Sequence, residues 1–308
     1  VTPGTLTDAA LLDDKAANIL LALSVDKPIA GLAWLNLGSG ELRVMEVALP
    51  GLASELRRIA PAEILIADSG ALDEELGGYH VSRIAEWLFD AAAGRTALLT
   101  QLRAASLAGY GCEDMGPAVG ACGALLDYAR KTQGQALAHV NAVIAERPGE
   151  YLRMDPATRR NLEISETLRG EPSPTLHSLL DICACGMGSR LLRHWLHHPL
   201  RDRARLRERH AAVAVLLQDD SARKDIESQL RQVADVERIS ARLALKSARP
   251  RDLSSLRDSL ARLAEITALV PASDSVLLAQ LREALACPED CLDLLRRAVK
   301  EEPSVVLR

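Results

Sequence analysis

The stretch that decides the fold of this chain is MDPATRRNLEISETLRGEPSPTLHSLLDICACGMGSRLLRHWLHHPL, residues 154–200. Asp155 followed by Pro156 is typical of a helix start, because the carboxylate accepts free amide hydrogens and proline has none to leave unpaired. Leucines at three- and four-residue spacing, separated by glycines and prolines, then predict three successive helices, the last of which ends at Pro199. From Asp155 onward we therefore expect an all-α region.

The first of these helices carries unusual polar residues. Its predicted packing face, which we expect to continue to Gly170, is formed by Ala157, Asn161, Ile164 and Leu168. Asn161 interrupts the apolar stripe, which is typical of a satisfied buried polar residue that fixes register. Arg159 and Arg160 lie beside Glu163, and we interpret them as structural ion pairs or as a contact to another domain. The stretch thus indicates a joint and not an active site.

The region before residue 134 mixes strands and helices. IAGLAWLNL at 29–37 and ELRVMEV at 41–47, joined by Gly-Ser-Gly, predict a hairpin. A short helix at 52–60 and a buried strand at 63–67 should follow. Further helices are expected at 81–92, 96–106 and 117–132. The result is an α/β domain of ordinary size.

The remaining elements are predicted from periodicity and from proline punctuation. One short strand is expected at 139–145. Further helices are expected at 203–217, 221–232, 234–247, 274–286 and 289–300. A long helix opened by Pro250 carries an apolar seam through Leu253, Leu256, Leu260, Leu263 and Val270. Its length suggests a lever or strut.

Charge is distributed unevenly along the chain. Residues 1–145 hold 10 Lys and Arg against 17 Asp and Glu, net −7, which leaves 27 against 25, net +2, for the remainder. An acidic first part is not expected to bind a phosphate backbone by itself, because nonspecific affinity for DNA comes from Lys and Arg. An aromatic content of 3% also argues against a stacking platform for single strands.

Composition also bears on the compartment. We find no apolar run of the length that a membrane span needs and no signal-peptide pattern, so we expect a soluble, cytoplasmic protein that does not bind a membrane. The six cysteines form no CxxC pair and are expected to be reduced thiols.

Two clusters resemble binding sites, but each has a plainer interpretation. His177, His194, His197 and His198 suggest a metal site, yet no acidic or cysteine ligand has matching spacing, and histidines suit a helix end. The alternating arginines from 201 to 209 suggest a nucleic-acid strip. At 3.6 residues per turn they divide between two faces, so a solvated, salt-bridged helix is the better interpretation.

Catalytic motifs are scarce. No GxxxxGK[ST] phosphate loop, nucleophile elbow or HExxH occurs in the sequence, so we expect no catalytic residue, bound cofactor or metal in this chain. A hairpin followed by helix and strand is the opening of ribonuclease-H-like folds, in which carboxylates hold magnesium. Here the first strand offers Asn36, and Asp68 has no evident acidic partner. A metal nuclease is therefore an alternative with weak support.

Three segments strongly resemble the MutS family of bacterial DNA mismatch-repair proteins. They are MDPATRRNLEI at 154–164, MGSRLLRHWLHHPLRD at 187–202 and DVERISARLALKSARPRDLSSLR at 235–257. The opening VTPGT and TQG at 132–134 are also similar to that family. The resemblance implies a multidomain α/β plus all-α protein, with a ribonuclease-H-like connector domain at 1–133 and the first segment of a helical core and lever domain at 134–308.

The resemblance also implies a function for the parent protein. It would be a homodimer that recognises mismatched or unpaired bases in duplex DNA, couples recognition to ATP binding and hydrolysis with Mg²⁺, and recruits MutL. The mismatch-reading domain, the clamp and the ATPase are not expected in this sequence, so the chain would relay signals between them. Arg159, Arg160 and Asn161 would be the interdomain coupling residues of that relay. A stand-alone helical scaffold is the other alternative.

A partner surface is expected on the connector. The family implicates this domain in binding MutL, and the predicted helix near 95–105 should direct Leu98, Leu99 and Leu102 inward. Arg95, Thr96 and Arg103 would then face outward as MutL contacts.

Overall fold

The first domain is built on a six-stranded sheet. A computed structural model describes residues 2–6, 13–69 and 76–303. The strands are β1 (Ile19–Asp26), β2 (Ile29–Asn36), β3 (Glu41–Ala48), β4 (Glu63–Ala67), β5 (Val81–Ile84) and β6 (Val143–Glu146). Their spatial order is β5-β4-β1-β2-β3-β6.

The strand directions define the fold class. β1, β2 and β3 form an antiparallel meander, β4 joins parallel to β1, and β5 joins parallel to β4. An antiparallel meander extended at one side by two parallel strands is the ribonuclease-H-like arrangement, so the predicted fold class is confirmed. β6 joins parallel to β3 at the opposite edge. The sheet therefore takes a strand from beyond residue 133, where the connector domain was predicted to end.

Helices cover both faces of the sheet because both faces are apolar. The helices are α1 (Leu52–Ile59), α2 (Ala91–Leu102) and α3 (Gly116–Gln133). One face, with Leu20, Ala33 and Val44, packs against α2 and α3, and the other, with Leu21 and Leu32, packs against α1. Alternation along each strand sends neighbouring residues to opposite faces, so this is a three-layer α/β/α domain with two cores.

Two strands of the sheet differ from the sequence prediction. β1 was not predicted, because Ile19–Leu23 is apolar on both faces and shows no period that separates a strand from a buried helix. The predicted helix at 81–92 is wrong. Val81, Ile84, Ala85 and Leu88 imitate helical spacing, but residues 81–84 form the edge strand β5 and Glu86–Phe89 is a 3-10 turn.

The second domain is helical, as predicted. It contains α4 (Pro156–Asn161), α5 (Leu176–Leu180), α6 (Gly186–His197), α7 (Arg203–Gln218), α8 (Asp220–Leu230), α9 (Val236–Ala244), α10 (Pro250–Leu269), α11 (Val276–Ala284) and α12 (Glu289–Ala298). The predicted seam of α10 is confirmed, since Leu256 and Leu260 are buried against Ile239, Leu292 and Leu295. None of the helices that the structure describes combines the length and apolar character of a bilayer-spanning segment.

The first helix of the deciding stretch is shorter than predicted. α4 is capped by Asp155, whose carboxylate accepts from the Thr158 amide at 2.6 Å, as the sequence indicated. It ends at Asn161 because Glu163 adopts a positive φ of 43°. The carbonyl of Glu163 then accepts from the amide of Leu176, so the chain turns to meet the start of α5 instead of continuing to Leu168.

Candidate functional site

The candidate site is the junction between the two domains. Residues 13–16, which precede β1, are called the linker. The junction is formed by the linker, by α1, β3 and β6 of the sheet domain, and by helices α4, α6 and α9. The charged residues that meet there are described below from the linker outward.

Arg190 of α6 joins the segment at 187–202 to the segment at 235–257 and to the linker. Its Nη1 and Nη2 donate to the two carboxylate oxygens of Asp235 at 2.7 and 2.9 Å. Nη2 also reaches Glu237 at 2.7 Å, and Nη1 donates to the carbonyl of Asp14 at 2.9 Å. Burial opposes ionisation of Asp235, but the Arg190 contact outweighs it and lowers the pKa of that carboxyl. Such a two-pronged pair fixes orientation as well as distance.

Arg238 of α9 binds the linker directly. Its Nη2 donates to the carbonyls of Asp13 at 2.7 Å and Ala16 at 3.0 Å, and its Nη1 lies 3.1 Å from the carboxylate of Asp14. Its side chain is only 7% exposed. Arg190, Asp235 and Arg238 thus hold the backbone that enters the sheet domain, and we call these three residues the linker clamp.

A third contact holds the same linker to the loop before α6. The Lys15 ammonium donates to Asp181 at 2.8 Å, and the Ser189 hydroxyl donates to the same carboxylate at 2.7 Å. Burial opposes ionisation of Asp181, but these hydrogen bonds outweigh it and lower the pKa of Asp181 to about 2. The carboxylate is therefore ionised near neutral pH and keeps Lys15 in place.

A buried ion pair anchors the other side of the junction. Arg58 of α1 donates to Glu146 of β6 at 2.6 Å, and Arg43 of β3 donates to the second oxygen of Glu146 at 2.7 Å. The guanidinium of Arg58 lies over the ring of Tyr151, 5.2 Å from its centroid. Tyr151 in turn makes an edge contact with His198 just after α6, at 5.2 Å between ring centroids. This series of contacts connects the sheet to the helical domain.

Arg159 is the predicted coupling residue that the structure places deepest in the junction. It is 7% exposed, and its Nη1 donates to the ring Nδ1 of His197 at 3.2 Å and to the His197 carbonyl at 3.1 Å. The Nε2 of His197 lies 2.7 Å from the hydroxyl of Ser165. Burial, followed by the charge of Arg58, lowers the pKa of Arg159.

The predicted ion pairing of this segment is wrong. No carboxylate of the described residues lies within 4 Å of the Arg159 or Arg160 guanidinium, and Arg160 instead donates to the carbonyl of Leu168 at 3.3 Å. Glu163 accepts from the amide of Leu168 at 2.7 Å. Asn161 is exposed, so its interpretation as a buried polar residue is also wrong, because α4 ends there. A coupling role for these three residues stays a prediction.

The histidines of α6 are packing groups. The rings of His194 and His198 stack at 3.9 Å between centroids, and His197 is engaged by Arg159 and Ser165. Burial lowers the pKa of all three, that of His197 to about 3. They are therefore neutral near pH 7. Among the described residues no group of three or more His, Cys, Asp or Glu side chains is placed to hold a metal ion.

The predicted arginine strip lies at the edge of the junction. Arg209 of α7 stacks on the ring of Trp195, 3.8 Å from its centroid, and with Arg205 it lines a cavity of about 300 Å³ against the sheet edge. Arg201 follows the short pairing of Tyr151 with Leu200. Part of this strip thus packs on the junction instead of lying on a fully solvated helix.

The predicted partner residues lie on α2, away from the junction. Leu98 and Leu102 are buried and Leu99 packs against the same core, as predicted. The other face presents Thr96, exposed, with its hydroxyl bound to the Ala92 carbonyl at 3.0 Å, and Arg103, exposed, at the helix end with φ 53°. Arg95 is half-buried and pairs with Glu113.

In the part of the chain that the structure describes, the strand carboxylates do not assemble into a metal site. The Asn36 side chain accepts from the Gly38 amide at 3.0 Å, and Asp68 accepts from the Glu86 amide at 3.2 Å. On β4, the buried carboxylate is Glu63, whose oxygens accept hydrogen bonds from Thr2, Gly4, Ser82 and Tyr128 at 2.5 to 2.9 Å. Burial opposes its ionisation, but these donors lower the pKa of Glu63. Its acceptor positions are filled by protein, so it holds the segment at 2–5 onto the sheet.

The linker clamp was missed at the sequence level, although one signal was available. Asp235 stands immediately before an apolar-periodic segment, which is typical of a helix cap, and its carboxylate does accept from the Arg238 amide at 3.2 Å. No periodicity argument indicates that the same carboxylate binds Arg190, 45 residues earlier in the chain.

The fold and the junction define a class of protein: two domains, one ribonuclease-H-like and one helical, joined by a charged linker clamp. Comparison with known families gives the identity of both. Residues 18–141 match the family described as MutS domain II, and residues 157–308 match MutS domain III. The chain belongs to the MutS family of DNA mismatch-repair proteins.

Proposed function

We propose that this chain is the coupling segment of a mismatch-repair protein, and that it relays motion between the parts that bind mismatched DNA and the part that hydrolyses ATP. The observation that carries the proposal is the linker clamp. Arg190 and Arg238, both on the helical domain, bind the backbone that enters the sheet domain. A displacement of α6 or α9 would therefore pull on the linker instead of being absorbed by a loose connection.

The chemistry of the clamp suits a relay with two discrete arrangements. Leaving some donors of a buried arginine without acceptors costs more free energy than exchanging one complete set of acceptors for another. Packed ionic networks therefore tend to switch between arrangements and not to deform continuously. We infer that the clamp has a second set of contacts in another nucleotide or DNA state.

The test uses the protein that carries this chain together with its mismatch-binding and ATPase domains. Arg190→Gln and Arg238→Gln should each reduce the effect of a mismatched duplex on the ATPase rate about fivefold or more, a loss at the lower end of ordinary coupling energies. The ATPase rate without DNA should change much less.

Arg223→Gln is the matched control, since Arg223 forms an exposed pair with Asp220 on α8. If both clamp variants keep the full mismatch response while remaining folded, the relay is disproved.

We also propose that α2 contributes to a MutL-binding surface. Thr96 and Arg103 are exposed on the face opposite the buried leucines, so a partner could contact them without disturbing the core. Thr96→Arg and Arg103→Glu should each weaken binding of MutL about tenfold, as measured by titration calorimetry. Arg95→Glu should have a smaller direct effect, because Arg95 already pairs with Glu113.

Lys224→Glu, on exposed α8, controls for the change in net charge. Unchanged MutL affinity in the Thr96 and Arg103 variants would remove this surface from consideration.

Further partners are proposed from family membership. It supports DNA binding and dimerisation in general, and we assign mismatched duplex DNA and a second MutS subunit to this protein in the cytoplasm. ATP and Mg²⁺ would bind outside this chain, whose sequence contains no GxxxxGK[ST] loop.

A further inference from the structure

An arginine-lined cavity of about 580 Å³ opens at the junction. It lies between α1, α4, the segment at 163–170 and α6. Five arginines line it, and we call it the arginine cavity: Arg57, Arg159, Arg160, Arg169 and Arg193. Among the described lining residues only Glu166 is acidic. A concave site with one sign of charge concentrates ions of the opposite sign.

The arginines of this cavity lack carboxylate partners, unlike the four arginines that bind Glu146 or the linker. Arg43, Arg58, Arg190 and Arg238 all form ion pairs. Within the part of the chain that the structure describes, no carboxylate lies within 4 Å of any of the five cavity guanidinium groups. An anion bound between them would therefore supply the opposite charge that no neighbouring carboxylate supplies.

Arg159 adds a second, independent observation. It is more than nine-tenths buried, and its Nε has no hydrogen-bond partner among the described residues. A buried donor without an acceptor is costly, and in a native structure it commonly marks the place of a ligand or an ion.

Hydrogen bonds from Arg159 through His197 leave the Ser165 hydroxyl as a neutral donor at the cavity. Because the Nδ1 of His197 accepts from Arg159, its Nε2 carries the ring proton and donates to the Ser165 oxygen at 2.7 Å. Ser165 lines the cavity, and its own hydroxyl hydrogen is then free to donate to a ligand there. Burial and the charge of Arg159 lower the pKa of His197 to about 3, so this arrangement persists at neutral pH.

We propose that the arginine cavity is a binding site for a pyrophosphate-class anion. Several guanidinium forks and one hydroxyl donor match an anion with many acceptor oxygens better than they match a single carboxylate. The cavity is compact, whereas duplex DNA would require an extended basic strip along the surface. This site goes beyond the proposed relay function and does not depend on it.

The experiment titrates the 308-residue chain with inorganic pyrophosphate and, separately, with a nucleoside diphosphate by calorimetry. Saturable binding of one anion per chain is expected. Arg160→Gln and Arg193→Gln should each weaken it about tenfold or more, because each removes a charge-assisted contact, and Ser165→Ala should weaken it less. Arg223→Gln on α8 is the matched control and should leave the affinity unchanged.

The comparison of ligands and variants decides between the sources of phosphate. A nucleoside diphosphate that binds ten times more tightly than pyrophosphate would support an organic diphosphate, and equal affinities would support the free anion. No saturable binding by the unmodified chain, or equal loss in the control variant, would overturn the proposal. So would binding of a short duplex DNA that depends on Arg160 and Arg193 and that pyrophosphate does not displace. Circular dichroism of each variant separates lost binding from lost folding.

Discussion

At the scale of single residues, adjacent charged residues of the junction can have very different surroundings, and the sequence alone does not show which is which. Arg159 and Arg160 are adjacent, yet Arg159 is buried against His197 and Arg160 lies at the surface. The difference arises because adjacent residues of a helix point about 100° apart, so Arg159 faces the junction and Arg160 does not. The position of each arginine on α4, and not its residue type, therefore decides whether it takes part in the junction.

His197, which is half-buried at the end of α6, predicts a pH dependence of stability. The pKa of His197 is about 3 in the folded chain and about 6.5 when unfolded, so the unfolded state takes up the proton first. The stability that this group gives above pH 6.5 is lost as the pH falls toward 3. Unfolding in urea should show a larger loss of stability between pH 7.5 and 5.5 for the unmodified chain than for His197→Gln, by about 1 kcal/mol.

His80→Gln serves as the control, because His80 is exposed and lies outside the junction. An identical pH dependence in the His197→Gln chain would show that this histidine is not held neutral by its surroundings.

At the scale of elements, α2 and α3 approach each other through glycines. A Cβ placed on Gly123 would lie 2.5 Å from the Cα of Gly94, and one placed on Gly94 would lie 2.3 Å from the carbonyl oxygen of Val119. These distances leave no room for a side chain between the helix backbones. The two helices together cover one face of the sheet, so their spacing fixes the position of α2 and of its exposed face.

Gly123→Ala should therefore destabilise the sheet domain by about 2 kcal/mol or more, because the helices must move apart to admit a methyl group. Urea unfolding followed by far-ultraviolet circular dichroism measures the effect. Gly116→Ala, in the same helix, has nothing within 4 Å of its added Cβ and should be neutral or slightly stabilising. Equal effects of the two substitutions would contradict this account of the packing.

The helices and strands also differ in how well they could be predicted from the sequence. Strong periodicity gave α6, α7 and α10 nearly to the residue, because apolar spacing over several turns has one interpretation. It failed for β5, whose apolar residues happen to repeat at helical spacing, and for β1, which is apolar on both faces. Arg190 and Arg238 could not be assigned to the linker, because a contact across more than a hundred residues leaves no local pattern.

At the scale of the whole molecule, the short helices of the deciding stretch leave large apolar side chains in solvent. Leu179 is 77% exposed and Ile182 is 84% exposed, and Leu176, Leu180 and Leu191 are exposed nearby. Scattered exposed leucines are ordinary, but several within one segment indicate a surface that is covered by another protein segment.

The 308-residue chain should therefore self-associate with rising concentration, as sedimentation velocity would record. Replacing Leu179 and Ile182 together by glutamine should shift the chain toward monomer at a given concentration. Leu217→Gln, at a 68% exposed position of α7, is the control for a general gain in solubility. A monomeric unmodified chain across the range would contradict the expectation.

The linker clamp also has a consequence for the order of events during synthesis. Arg238 contacts Asp13, Asp14 and Ala16 across 222 to 225 residues of sequence. At about 5–20 residues per second, the ribosome needs roughly 10–45 seconds to make that interval. The sheet domain can fold in that time, but the linker has no contact with Arg238 until α9 leaves the exit tunnel. The junction can therefore be completed only after the sheet domain and the helices up to α9 have been made.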